Sequence, residues 1–226
     1  MKMPLFVNQQ IEGDDRKSGY SEFLGLRNSM EDSIIVRDDI NLYAVCDGHG
    51  GPNTAKFASI QIAELFEKEI SLKKFEFENA KNFVGEIFHQ AEQNIEKMSL
   101  EDGSTLCLAF VCKNEAGNRK IVTAHLGDAR AMIVRNDGKA RTLTKDHKPS
   151  NRGEFERVHK EFGRVTRDNR IDGVLAVARS LGDFNIMAVG REPDLNEFEI
   201  DHNDRFLVIC CDGVFDVLTN DDLANL

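Results

Sequence analysis

Apolar residues recur along this chain with two different spacings, and the spacings predict its secondary structure. Across residues 52–101 they recur every three or four positions, as on one face of an α-helix. Pro52 suits the first position of a helix, so we expect one helix to begin there and a second to occupy residues 77–98. The apolar face of the first helix is predicted to comprise Ala55, Ala58, Ile62, Leu65 and Phe66.

Most other apolar segments are short, rich in β-branched residues and bounded by turn-forming residues, which is typical of strands. The Asp137-Gly138 dipeptide predicts a tight hairpin, and a short helix is expected over residues 150–162. Strands, two long helices and then further strands predict an α+β fold with helices on the outer faces of the sheets, not an alternating βαβ fold. The predicted strands are residues 41–46, 104–112, 120–126, 129–135 and 205–211.

Composition limits the class of protein. A chain of 226 residues with 41% hydrophobic content can bury a core, and we expect one domain over residues 20–226 after a flexible, polar segment at residues 1–19. The net charge of −10, without clustered Lys or Arg, argues against a nucleic-acid partner. The longest apolar runs, such as residues 206–211, are far too short to span a membrane, which takes about twenty residues. No secretory signal is recognisable, so we expect a cytoplasmic, monomeric domain.

Five cysteines occur, all within strand-like apolar segments and without the C-x-x-C spacing of a zinc site. Their odd number and placement favour buried thiols in a reducing compartment over a disulfide framework. They are Cys46, Cys107, Cys112, Cys210 and Cys211.

Three aspartates stand where apolar strands end, not on the solvated faces of helices. Asp47 follows LYAVC, Asp128 follows IVTAHLG and Asp212 follows RFLVICC. A carboxylate at the edge of a core needs hydrogen bonds or a cation, and the adjacent Gly48 could offer its carbonyl oxygen as a ligand. Oxygen ligands without paired His or Cys select Mg²⁺ or Mn²⁺ over zinc. Each aspartate alone would more often be an ordinary turn residue, so the prediction depends on the three occurring together, with Glu31 and Asp32 as further carboxylates.

Seven segments, taken in order, resemble the signature blocks of the type 2C metal-dependent Ser/Thr protein phosphatases, the PPM family. They are RNSMED (27–32), DGHGG (47–51), GST (103–105), LGDAR (126–130), DHKP (146–149), ARSLGD (178–183) and CDGVFD (211–216). The resemblance covers residues 20–226. It implies a sandwich of two antiparallel β-sheets flanked by α-helices, a two-metal site in a cleft at one edge, and hydrolysis of phosphoserine and phosphothreonine in proteins.

The resemblance also implies the metal ligands. Asp47 would bridge two Mg²⁺ or Mn²⁺ ions and Asp212 would bind the first. Glu31 and the carbonyl of Gly48 would bind the second. Asp32 would contact these ligands without binding the metal itself.

A weaker third ion is implied by the similarity of three aspartates to the residues that hold it in parts of the family. These are Asp128, Asp212 and Asp216. Thr105 resembles a residue that lines the site, and a role in strand packing explains it equally well.

Two further residues resemble those that handle the substrate. Arg27 matches the arginine that meets the phosphate, for which the guanidinium fork offers paired hydrogen bonds. His49 is the candidate general acid for the departing Ser or Thr oxygen, because imidazole titrates near neutral pH. A metal-activated water would attack the phosphorus, so no covalent phosphoenzyme is needed. We expect His125 to be a core residue and His147 a structural loop residue.

The chain departs from the family pattern in two places. Ala129 stands where the family usually has serine. The family also continues through another helix to a Gly-Ser-x-Asp-Asn block whose aspartate binds the first metal, whereas this sequence ends at Leu226. We therefore expect the C-terminal elements, and one metal ligand, to be missing. Residues 151–177 take the place of the family's flap beside the cleft, but their mixed charges reveal no partner and favour a solvated face.

Two functions remain open at this point. The first is metal-dependent hydrolysis of phosphoproteins, favoured by the complete set of Arg27, Glu31, Asp47, His49 and Asp212. The alternative is a weak or inactive pseudophosphatase domain that binds phosphoproteins without cleaving them. A metal-dependent nuclease or esterase is disfavoured by the acidic charge and by the order of the blocks.

Overall fold

The structure is a computed structural model that describes the backbone of Gln9–Gln10 and residues 18–226 in full. The flexible segment expected at residues 1–19 therefore lies almost wholly outside the described residues and stays a prediction. The strands are β1 Gln9–Gln10, β2 Ser33–Arg37, β3 Leu42–Cys46, β4 Gly48–His49, β5 Gly103–Ser104, β6 Leu106–Lys113, β7 Arg119–Leu126, β8 Arg130–Arg135, β9 Ala140–Thr142, β10 Leu181–Gly182, β11 Asp194–Glu199 and β12 Asp204–Cys210. The helices are α1 Asn53–Ser71, α2 Ala80–Met98, α3 Arg152–Lys160, α4 Asp212–Phe215 and α5 Asn220–Ala224.

Two antiparallel sheets face each other. One has five strands in the order β11-β7-β6-β3-β2, and the other has four in the order β1-β12-β8-β9. Alternate side chains of both sheets meet in a shared apolar layer, which confirms the predicted sandwich. Members of this layer include Tyr43, Val45, Cys107, Ala109, Ile121, Ala131, Ile133, Leu207 and Ile209.

The two long helices cover the outer face of the five-stranded sheet. In β6, Leu106, Leu108 and Phe110 point to the helices while Cys107 and Ala109 point to the other sheet, so the strand is apolar on both faces. Both predicted helices are confirmed, α1 beginning one residue after Pro52 and α2 preceded by a short 3₁₀ turn. Four phenylalanine rings pack together where the helices meet the sheet: Phe66, Phe75, Phe83 and Phe110. Their contacts are edge to face except that Phe110 is tilted against Phe66 and Phe83.

A short third sheet joins three distant parts of the chain. Its order is β10-β5-β4, and its register places His49 opposite Gly103 and Gly103 opposite Gly182. The sheet lies beside the end of β3, where the sandwich opens into loops. It therefore fixes the backbone around the Asp47–His49 loop.

The flap, residues 151–177, begins with α3 and packs around an apolar cluster of its own, separate from the cores of the sandwich. Ion pairs fasten this cluster to the body of the protein: Arg179 contacts Glu154 of α3 at 2.5 Å and Asp194 of β11 at 2.9 Å. The cluster comprises Val158, Ile171, Leu175, Val177, Ala178, Ala188 and Val189.

Other local predictions can be checked directly. The Asp137-Gly138 turn joins β8 to β9 as predicted. All five cysteines are buried and free, also as predicted. No helix among the described residues is long and apolar enough to cross a membrane.

Candidate metal centre

A cleft of about 540 Å³ opens at one edge of the sandwich. Its walls come from the loops after β3, β7 and β12, from the short third sheet and from the flap. The predicted site residues that line it are Arg27, Glu31, Asp47, Gly48, His49, Thr105, Asp128 and Asp212.

The tightest group of potential metal ligands combines the ends of two strands. Asp47 follows β3 and Asp212 follows β12, and their carboxylate oxygens and the Sγ atom of Cys211 all lie within 4.8 Å of one another. The two aspartates come from different sheets of the sandwich, so the fold rather than local sequence brings them together.

Cys211 was expected only as a core thiol, and its position beside the two carboxylates was not anticipated. Burial, followed by the negative charges of Asp47 and Asp32, raises the pKa of the Cys211 thiol. The thiol therefore stays protonated at neutral pH. The carboxylate oxygens are left as the charged ligands, a donor set that suits a hard divalent cation.

Glu31 reaches the site through a close backbone contact. A β-carbon at Gly48 would lie 2.2 Å from the carbonyl oxygen of Glu31, so no other residue fits there without movement. This contact holds the segment that carries Glu31 against the Asp47–His49 loop. The neighbouring charge of Asp32 also reaches this region, since it contributes to the raised pKa of Cys46 and of Cys211.

Thr105 fixes the backbone of Asp47. The amide of Asp47 donates to the hydroxyl of Thr105 at 3.1 Å, and the amide of Thr105 donates to the carbonyl of Asp47 at 2.9 Å. Both residues are buried. The geometry therefore gives Thr105 a positioning contact with Asp47 in addition to its place on the cleft wall.

Asp102 was not singled out from the sequence, yet it holds the start of α1. Its carboxylate accepts from the amides of Asn53 and Thr54 at 2.7 and 3.1 Å and from the Thr54 hydroxyl at 2.7 Å. Pro52, which precedes the helix, supplies no side-chain cap. Asp102 thus ties the helix that follows the Asp47–His49 loop to the start of β5.

Asp128 forms an ion pair with Lys148, which the sequence reading did not single out within DHKP. Burial raises the pKa of Asp128, and the charges of Asp212 and Asp146 add to this although Lys148 opposes it. The pKa of Lys148 is also raised, because Asp128 and its acidic neighbours outweigh the effect of burial on the ammonium group. The raised pKa of Lys148 reflects the acidic groups around it, Asp128, Asp146 and Asp212, at this end of the cleft.

The structure brings together only two of the three aspartates that were predicted to hold a third ion. Asp128 and Asp212 line the cleft, whereas Asp216 lines a neighbouring depression with Arg130 and Asn220. That these three aspartates share an ion stays a prediction.

His49 is held by a residue to which the sequence reading gave no role. Its Nε2 atom lies 2.7 Å from Oδ2 of Asp183, and the hydroxyl of Ser180 donates to the same oxygen at 2.5 Å. The Asp183 side chain is 8% exposed, while that of His49 is 28% exposed and faces the cleft. Asp183 and Ser180 both lie within the ARSLGD segment, which was the available signal.

One part of the cleft wall belongs largely to the flap. Arg170, Val174, Val177 and, just beyond the flap, Ile186 line the cleft there. This segment is therefore a wall of the cleft as well as a solvated surface.

His125 and His147, the two histidines that were expected to be structural, are held inside the protein by hydrogen bonds and ring stacking. His125 is fully buried in β7, its Nε2 atom lies 2.7 Å from the carbonyl of Ala129, and burial lowers its pKa to about 3. His147 stacks on it with ring centroids 4.7 Å apart, and its Nδ1 atom accepts from the amide of Gly127 at 3.1 Å. Neither ring lines the cleft.

Comparison with known proteins agrees with this geometry. The family model for protein phosphatase 2C matches residues 11–226. The chain is 34% identical over 222 residues to "Probable protein phosphatase 2C 55" of Oryza sativa subsp. japonica, covering 92% of this chain and 56% of that protein. It is 30% identical over 224 residues to "Probable protein phosphatase 2C 4" of Paramecium tetraurelia, covering 90% of this chain and 74% of that protein.

A solved phosphatase from a pathogenic strain of Toxoplasma gondii has a similar fold. Its TM-score is 0.75 at 23% identity, with 100% of this chain and 82% of that chain covered. The chain thus spans little more than half the length of the rice relative and most of the Toxoplasma structure. The match over nearly the whole chain, together with the converging carboxylates of the cleft, shows that this chain belongs to the protein phosphatase 2C family.

Proposed function

We propose that this chain hydrolyses phosphoserine and phosphothreonine monoesters in proteins with the help of Mg²⁺ or Mn²⁺. The observation that carries the proposal is the convergence of the Asp47 and Asp212 carboxylates in a cleft that Arg27 and His49 also line. A candidate metal site and two groups suited to a phosphate ester therefore line one cavity.

The donor set fits hard divalent cations. Asp47 and Asp212 would hold the first ion, and Asp47, Glu31 and the Gly48 carbonyl would hold the second. When bound, such ions lower the pKa of a water molecule and offset charge on the phosphoryl group. The hydrogen bonds between Thr105 and Asp47 fix the backbone of Asp47 before any ion binds.

The chain's own side chains then bind the substrate and supply the proton. Arg27 would pair with two phosphate oxygens through its guanidinium fork. His49 would give a proton to the departing Ser or Thr oxygen, a contribution of about 10²–10⁴-fold in typical general acid catalysis. The cleft wall formed by Val174 of the flap and by Ile186 just beyond it is the surface that the peptide on either side of the phosphorylated residue would contact.

The proposal extends to the partners, the oligomeric state and the location of the protein. The partners are phosphoproteins, and neither nucleic acid nor membrane is expected, given the net charge of −10. We propose a monomeric domain acting in signalling in the cytoplasm.

The test is release of phosphate from a phosphothreonine peptide by the purified chain, with and without Mn²⁺. We expect Mn²⁺-dependent release that Asp47→Asn abolishes and that Asp137→Asn, the same change of charge in the β8–β9 turn, leaves intact. Calorimetry should show weaker Mn²⁺ binding only for Asp47→Asn.

The complete set of Arg27, Glu31, Asp47 and His49 on one cleft favours the enzyme over the pseudophosphatase alternative. Binding of the phosphopeptide by the folded, Mn²⁺-supplied chain without release of phosphate would refute hydrolysis and support that alternative.

A further inference from the structure

Asp183 and His49 are separated by 134 residues in the sequence and are brought together by the short third sheet. In that sheet Gly103 of β5 pairs with His49 on one side and with Gly182 on the other. Asp183 directly follows Gly182, so the register delivers its side chain to the imidazole across the glycine strand.

The central position of this sheet leaves no room for a side chain. A β-carbon at Gly103 would lie 2.1 Å from Oδ2 of Asp183 and 2.4 Å from Nε2 of His49. The carboxylate and the ring therefore meet in the space that a side chain at Gly103 would fill. Asp183 also adopts a left-handed backbone conformation, with φ of 49°, which Asp tolerates better than most residues.

Two donors converge on one oxygen of Asp183. The Ser180 hydroxyl and the His49 ring both contact Oδ2, at 2.5 and 2.7 Å. Because a carboxylate only accepts hydrogen bonds, the contact requires the proton on Nε2 of His49. Nδ1 is then the nitrogen left for the substrate.

We propose that Asp183, held by Ser180, is the positioning residue that fixes the orientation and tautomer of His49 for proton donation from Nδ1. In that step the ring starts with protons on both nitrogens. Its Nδ1–H bond breaks as the ester oxygen separates from phosphorus, and that proton forms the hydroxyl of the released Ser or Thr. The ring that remains carries its proton on Nε2, which Asp183 still accepts, so its orientation is kept for reprotonation from solvent. This inference rests on the proposed function.

The kinetic test compares two substrates that differ in their need for an acid. A phosphothreonine peptide releases an alkoxide that needs a proton, whereas p-nitrophenyl phosphate releases a stable phenolate that does not. Asp183→Asn is expected to lower kcat on the peptide by about 10²-fold and on the aryl ester by less than about three-fold, with KM for both nearly unchanged. Ser180→Ala should show the same pattern at about a tenth of the size, and Asp137→Asn should change neither.

A double variant separates positioning from a general loss of structure. If Asp183 acts through His49, the variant with both His49→Asn and Asp183→Asn loses no more peptide activity than His49→Asn alone. Equal losses on the two substrates, or additive losses in the double variant, would overturn the proposal. If Asp183→Asn does not fold, the same comparisons with Ser180→Ala decide.

A spectroscopic readout does not depend on turnover. Nitrogen-15 NMR of the neutral His49 ring should show the proton on Nε2 in the unmodified chain and a shift toward Nδ1 in Asp183→Asn, whose amide can donate to Nε2. A ring already protonated on Nδ1 in the unmodified chain refutes the inference. If neither substrate is hydrolysed, the proposed function fails, while the tautomer still decides whether Asp183 positions His49.

Discussion

Replacing Asp102 by Ala should destabilise the protein because it removes the cap of α1. The carboxylate comes from 49 residues away and satisfies the amides of Asn53 and Thr54 and the Thr54 hydroxyl. Both Asp102 and Thr54 are buried, so water does not replace these contacts easily. With two amides left unsatisfied, we expect a loss of about 2–4 kcal/mol in the free energy of unfolding.

The charge of the cap can be tested separately with Asp102→Asn. Burial opposes ionisation, but hydrogen bonds from Thr54 and Asn53 outweigh it and lower the pKa of Asp102 below 3.8. A lowered folded-state pKa stabilises the fold above the unfolded value, and this contribution is lost as pH falls through the folded value. The advantage of Asp102 over Asn should therefore be full at pH 7 and should shrink below about pH 4.

Urea unfolding followed by far-ultraviolet circular dichroism is the suitable assay, since the chain has no tryptophan. Asp222→Ala is the matched control, because Asp222 accepts from the amide of Thr219 in the exposed capping box of α5 and should cost about 1 kcal/mol or less. A cost for Asp102→Ala no larger than for Asp222→Ala would refute the capping role.

Two further changes test the site and the core. Gly48→Ala should weaken Mn²⁺ binding in calorimetry by about ten-fold or more, because the methyl group would lie 2.2 Å from the Glu31 carbonyl oxygen; unchanged affinity would contradict this contact. Burial raises the pKa of Glu92 to about 7, so the protein should lose stability as pH rises from about 4.5 to 7. Glu92→Gln should remove that slope and add about 1–2 kcal/mol at pH 8, after allowance for solvent screening.

The sandwich was largely predictable because its central strands are apolar on both faces. β3, β6 and β12 stand out as continuous apolar runs, and α1 and α2 stand out by their spacing. β11 was missed, since DLNEFE contains few apolar residues and owes its conformation to pairing with β7. Such a strand is specified by a partner about seventy residues away, which local pattern does not reveal.

The residues of the candidate site also divide into those that the sequence pattern predicts and those that it does not. Asp47 and Asp212 follow recognisable strands, so their convergence at one edge of the sandwich could be predicted from their positions. Asp183 and Lys148 carry no comparable signal, because their partners His49 and Asp128 are chosen by the register of a sheet and by the path of a loop. Residues that hold other residues are therefore harder to predict than residues that meet a ligand.

The separate apolar cluster of the flap has a consequence for how specificity can diverge. Under the proposed function, substitutions at Leu175 or Val177, which belong to this cluster and line the cleft, would reshape the surface offered to a peptide without repacking the layer between the sheets. The anchoring pairs of Arg179 hold the altered flap to the same frame. Under the proposed function, relatives with an altered flap would accept different phosphopeptides while the residues of the candidate metal site stay the same.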